Sequence, residues 1–203
     1  MPSKNIEKIF IPETYYHVYN RGVEKRTIFL DDEDYRVFLN LLKRYLDDKP
    51  SNDKSGRQYE WLHGQLDLLA YCLMPNHFHL FIYQIDEQAI TKLLKYICTS
   101  YVMYFNKKYK RVGPLFQSRF KSKDVIDDAY FQHISRYIHL NPKDYETWEY
   151  SSLPYYLNTR KSGWVNPSRV LETFEGDSYS EFVKDYIGQK EIMDNLKHTL
   201  ADK

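Results

Sequence analysis

The hydrophobic positions of this 203-residue chain repeat with two different periods, and the changes of period mark its elements. Thr14–Asn20 (TYYHVYN) consists of strand-forming residues and stops at Asn20-Arg21-Gly22, a turn signal. Asp31–Leu46 reads as a helix, with acidic residues crowding its start and Tyr35, Phe38, Leu39, Leu41, Leu42 and Tyr45 on one apolar face. Lys49–Gln58 is a polar loop, and Leu66–Leu73 a second strand. Met74-Pro75-Asn76 turns the chain into a third strand, so the two form a hairpin. Helical spacing returns over Glu87–Tyr109 and again over Asp127–Asn141, which opens on acidic residues and stops at Pro142. Trp148–Leu157 is aromatic and irregular, and Asn166–Phe174, Tyr179–Ile187 and Lys190–Leu200 read as short helices. The length suits one domain with an appendage, drawn here as residues 1–157 and 158–203.

The third strand carries the first chemistry. In MPNHFHLFIY (Met74–Tyr83), His77 and His79 are one residue apart, so a strand projects both imidazoles from one face while Phe78 and Leu80 point into a core. Two neutral imidazoles at fixed spacing suit a divalent metal, although two ordinary polar-face histidines would give the same pattern. The helix at Asp127–Asn141 carries Tyr130, Ile134, Tyr137 and Asn141 on one face, with Tyr137 and Asn141 one turn apart. His139, about 200° around that helix from Tyr137, faces away, whereas His17 on the first strand could approach from a neighbouring strand.

Composition changes this picture in one place. The formal net charge of +1 is no nucleic-acid signature in itself, but Lys107–Lys123 (KKYKRVGPLFQSRFKSK) holds seven positive charges and no acidic residue. Lys107, Lys108, Lys110, Arg111, Arg119, Lys121 and Lys123 are interleaved with Tyr109, Phe116 and Phe120. Cations that neutralise phosphates beside aromatic faces that accept bases are the pairing expected for single-stranded nucleic acid. Glu172–Asp194, by contrast, has seven acidic residues against Lys184 and Lys190, a poor phosphate surface. Cys72 and Cys98 lie in apolar surroundings without zinc spacing, as buried thiols of a reducing compartment do. No apolar run is long enough for a signal or a membrane span, so the expectation is a cytoplasmic protein. No glycine-rich phosphate loop, Ser/His/Asp spacing or internal repeat is present.

Four stretches, HVYNRG (His17–Gly22), MPNHFHLF (Met74–Phe81), GPLFQSRFKS (Gly113–Ser122) and RYIHLNP (Arg136–Pro142), together resemble the HUH-type single-strand DNA transposases, in particular the REP-associated tyrosine transposase branch of the IS200-like superfamily. They come in that family's order over about residues 14–157. The resemblance implies an α+β fold, a ferredoxin-like antiparallel sheet with helices on one face; the small helical C-terminal extension read from the residue pattern lies outside the likeness. It implies Tyr137 as nucleophile and His77, His79 and Asn141 as ligands of Mg²⁺ or Mn²⁺. Tyr130, on the same helix face, is the rival nucleophile. Arg21 and the basic segment, including Phe116 and Phe120, become the expected contacts to single-stranded or hairpin DNA. The activity implied is cleavage and rejoining of such DNA through a 5′-phosphotyrosine. A catalytically idle hairpin-binding regulator, or a metal-dependent hydrolase using water, would keep the same fold. A single tyrosine leaves both a homodimer and sequential action by one protomer open.

Overall fold

The computed structural model describes residues 10–174 and 178–185. Its frame is a four-stranded antiparallel sheet in the order β2-β3-β1-β4. The strands are β1 (Thr14–Arg21), β2 (Leu66–Met74), β3 (His77–Gln84) and β4 (Lys121–Asp124). The helices are α1 (Asp32–Leu46), α2 (Ala89–Lys108), α3 (Asp128–His139), α4 (Leu153–Tyr156), α5 (Ser168–Leu171) and α6 (Ser178–Lys184). The fold is therefore α+β around an antiparallel sheet. β1, β2 and the three long helices begin and end within two residues of the bounds expected from the hydrophobic pattern. The helix expected over Lys190–Leu200 lies outside the described residues. β4 has no apolar residue (KSKD) and no strand signal of its own; it is a strand because it pairs with the edge of β1, Tyr19 opposite Lys121 and His17 opposite Lys123.

Alternation along β3 divides the molecule into two cores. Phe78, Leu80 and Ile82 point to one face, where α1 and α2 cover them together with Val18, Leu68, Tyr71 and Leu73. Each such fully buried side chain contributes about 1.5–3 kcal/mol relative to exposure. α1 starts on Asp31, whose carboxylate accepts the Asp34 amide at 3.1 Å, the ordinary way to satisfy an orphan amide of a first turn. The opposite face presents His77, His79 and Phe81, and there α3 packs through Ile134, Tyr137 and Ile138 against Phe81, Ala70 and Cys72. Helices thus lie on both faces rather than one. The physical reason is that Phe81 and Cys72 make the histidine face apolar enough to need a cover of its own.

Beyond residue 157, Val170, Tyr179 and Val183 join this second core, packing with α3 and with Leu153 and Tyr156 of α4, while Trp164 and Val165 belong to the first. Tyr150–Ser152 runs along the outer edge of β2, with Leu73 N donating to Tyr150 O at 2.9 Å and Ser152 N to Tyr71 O at 2.9 Å, which closes that edge to other strands. Among the described residues no helix is long and apolar enough to cross a membrane.

Candidate active site

The strand register assembles one face from four strands. Residues directly opposite each other across an antiparallel pair point the same way. Cys72, His79, Tyr19 and Lys121 therefore form one row across the sheet, Met74, His77 and Arg21 a second, and Phe81, His17 and Lys123 a third. The hairpin turn is pinned beside it: Gly22 N donates to Asn76 O at 2.9 Å, and Ile28 N to Pro75 O at 2.7 Å.

Within this face the imidazoles are ordered by hydrogen bonds. Asn76 Nδ2 donates to the Lys25 carbonyl at 3.2 Å, which turns its Oδ1 toward His77 Nδ1 at 2.6 Å. An amide oxygen only accepts, so the proton sits on Nδ1 of His77. When His77 is neutral its Nε2 is then a bare lone pair, and it faces Asn141 Oδ1, a second acceptor, at 3.2 Å. His79 Nδ1 lies 2.8 Å from Nε2 of His17. Burial, followed by the neighbouring His77 and Lys123, pushes His17 down to about 3; burial, then His17 and His77, holds His79 well below its ordinary value. Both are neutral at physiological pH.

α3 brings Tyr137 onto the same face. Its ring stands edge-on to His79, centroids 5.5 Å apart at 80°, and edge-on to His17 at 5.9 Å and 87°. It is 4% exposed. Tyr130 lies two turns earlier, about 10 Å along the axis, half-buried against the second core. His139 points away, as its helical angle requires: it is fully buried, 2.7 Å from Tyr179 Oη and 2.7 Å from Ser152 Oγ.

Two imidazoles and an amide oxygen fit a divalent cation chemically. Two acceptors facing each other at hydrogen-bond distance, as His77 Nε2 and Asn141 Oδ1 do in this orientation of the amide, are reconciled by a positive charge between them. Among the described residues no group of three or more His, Cys, Asp or Glu side chains is placed to hold a metal. A cation here would therefore rely on the mixed set His77, His79 and Asn141.

The expected DNA contacts separate into three groups. Arg21, Lys121 and Lys123 share the histidine face. Lys107, Lys110 and Arg119 are exposed, and Arg111 is half-buried with its guanidinium 3.1 Å from Asn106 Oδ1. Lys108 and Phe116 depart from the expectation. Lys108 Nζ sits 2.8 Å from both Asp31 and Glu33 and 2.9 Å from Asp34, so three carboxylates already neutralise it. Phe116 is 8% exposed and meets Phe78 edge-on at 5.9 Å, a core residue with no face left for a base. Phe120 is partly buried, stacked on Phe10 at 6.2 Å. The basic segment is apolar at Leu115 and Phe116 because it runs beside β1, with Val23 N bonded to Leu115 O and Gln117 N to Arg21 O, both at 2.9 Å.

Sequence reasoning passed over Tyr19 and Asn76. Tyr19 stacks on His17 at 5.0 Å and 20°, with Lys121 Nζ 5.7 Å from its ring centroid. The two-residue period of β1 puts His17, Tyr19 and Arg21 on one face, which was the available signal.

Comparison with known proteins gives a partial family match and a likeness of fold. Residues 60–141 match the family described as "Transposase IS200 like". The fold resembles a solved REP-associated tyrosine transposase bound to a REP hairpin, with a TM-score of 0.55 and 14% identity over 81% of this chain and 92% of that one. At that identity the likeness is one of fold. A putative transposase from Deinococcus radiodurans aligns with a TM-score of 0.40 and 15% identity over 66% of this chain and 95% of its own. No curated protein matches the chain. The matched stretch, residues 60–141, and the likeness of fold together support the IS200-like transposase family for this chain.

Proposed function

We propose that this chain is a transposase that cleaves and rejoins single-stranded DNA at a hairpin, with Tyr137 as nucleophile and a divalent cation at His77, His79 and Asn141. The observation that carries the reading is the meeting, on one sheet face, of the Tyr137 ring with His79 and of His77 Nε2 with Asn141 Oδ1. The fold likeness to a tyrosine transposase bound to a REP hairpin supports a substrate of that class.

In this mechanism Tyr137 Oη loses its proton and attacks the phosphorus. A phosphorus–tyrosine bond forms, the bond to the 3′ oxygen breaks, and that oxygen leaves as a 3′-hydroxyl once protonated. The 5′-phosphotyrosine keeps the energy of the broken phosphodiester, so a 3′-hydroxyl can attack it in turn and release the tyrosine without a nucleotide cofactor. A bound Mg²⁺ or Mn²⁺ supplies charge stabilisation to the phosphate oxygens and a template for in-line attack; an imidazole-rich donor set favours Mn²⁺ over the oxygen-seeking Mg²⁺. Arg21, Lys121 and Lys123 border the face and hold the flanking phosphates, while Tyr19 offers a ring to a splayed base.

A second reading, an idle hairpin-binding regulator, draws on the 4% exposure of Tyr137, which leaves the hydroxyl little room for a phosphate. Denaturing gels separate the two. Labelled hairpin oligonucleotides from the DNA flanking the gene, incubated with Mn²⁺, should give a protease-sensitive covalent band that is lost in Tyr137→Phe, whose binding is retained. Cleavage that persists in Tyr137→Phe assigns the reaction to Tyr130 or to water, and tight binding without any cleavage establishes the regulator.

A further inference from the structure

His17 has no part in the ligand set above, yet it is the site residue most completely removed from water. It is 0% exposed, its Nε2 is 2.8 Å from His79 Nδ1, and its own Nδ1 has no hydrogen-bond partner. Its ring is held on two sides, stacked on Tyr19 at 5.0 Å and met edge-on by Tyr137 at 5.9 Å. The contact with His79 is a diagonal one, since the register sets His17 opposite Phe81. A buried imidazole clamped in this way has one remaining freedom, the position of its proton.

Two arrangements satisfy a single bond between two neutral imidazoles. If His17 donates, the proton of His79 sits on Nε2 and that nitrogen is closed to a cation. If His79 donates from Nδ1, its Nε2 is a bare lone pair, and His17 carries its proton on the unpartnered Nδ1. The neighbouring histidine is set in the second sense, because Asn76 Oδ1 compels the proton of His77 onto Nδ1. We infer that His17 is a positioning residue for His79: it accepts the Nδ1–H and so holds the His79 ring with Nε2 bare for a ligand, as Asn76 does for His77. Sequence-distant β1 and the hairpin turn thereby do the same work on the two histidines of one strand. The inference rests on the metal-site reading above, but the direction of the hydrogen bond is observable without metal.

Long-range ¹H–¹⁵N spectra of the full, metal-free chain with ¹⁵N-labelled histidine read that direction. The expected result is His79 protonated on Nδ1 and His17 on Nδ1. A His79 protonated on Nε2 overturns the inference. Calorimetric titration with Mn²⁺ reads the consequence. His17→Phe, which fills the space but cannot accept, should weaken Mn²⁺ binding on the order of 10–100-fold, and His17→Gln, whose Oε1 can accept the same proton, should recover most of it. A folded His17→Phe that binds Mn²⁺ as tightly as the wild type also overturns it. Wild-type protein with the Nδ1–H form of His79 but no Mn²⁺ uptake supports the hydrogen bond and overturns the metal-site reading instead.

Discussion

The ring of Tyr137 stands edge-on to that of His79, with centroids 5.5 Å apart and planes inclined at 80°. Tyr137 reaches that position because the opposite side of α3 is anchored. His139 lies between Tyr179 Oη and Ser152 Oγ, and Arg136 Nη1 donates to Phe182 O at 2.9 Å. Tyr179 Oη also bonds Ser135 Oγ at 3.1 Å, so α6 holds α3 from behind.

Removing that anchor should therefore be felt in stability. His139→Ala takes one hydrogen-bond partner from each of the buried hydroxyls of Tyr179 and Ser152 and opens a cavity, at a cost of about 2–4 kcal/mol. For a chain of this size that lowers Tm by roughly 5–15 °C. A thermal scan showing no change would mean that α6 does not support α3.

The same histidine sets a pH dependence. Burial pushes its folded value down to about 3 from an ordinary 6.5. Above pH 6.5 neither state is protonated and the contribution is whole. As pH falls from 6.5 toward 3 the unfolded chain takes up a proton that the native state refuses, so stability drops by on the order of 1.4 kcal/mol per pH unit. Denaturant unfolding at pH 7.5 and pH 5 should reveal this loss, and His139→Gln should show a smaller one. An equal loss in both proteins would remove His139 from the account.

The basic segment should divide under substitution. Lys121→Ala and Lys123→Ala each weaken binding of a single-stranded hairpin and lower the salt dependence of the affinity by about one unit of slope. Lys108→Met leaves that slope alone but destabilises the fold by about 1–3 kcal/mol, since it strips a cation from the fully buried Asp34. A fall in salt slope with Lys108→Met would return that residue to the DNA surface.

Gly22 is tested by a single methyl group. A Cβ there would stand 2.3 Å from the Arg26 carbonyl oxygen and 2.9 Å from Ile28 Cγ2. Backbone would have to shift where Gly22 N bonds Asn76 O, next to the residue that orients His77. Gly22→Ala should cost about 1–3 kcal/mol, and the His77 proton should lose its preference for Nδ1 in ¹⁵N spectra. A variant as stable as the parent would show that the chain is looser there than drawn.

The sequence by itself determined the elements and the pairing of chemistry within each. Alternation in β3 placed Phe78 and Leu80 opposite His77 and His79, and helical spacing sent Tyr137 and His139 to different sides of α3, because both periods are properties of local backbone geometry. Only the tertiary structure decided what meets across elements. It put His17 against His79, made Phe116 and Lys108 structural, turned KSKD into an edge strand and gave the histidine face its own helical cover. Such contacts depend on strand register and on which faces become buried together, and those follow from long-range packing that no local period encodes.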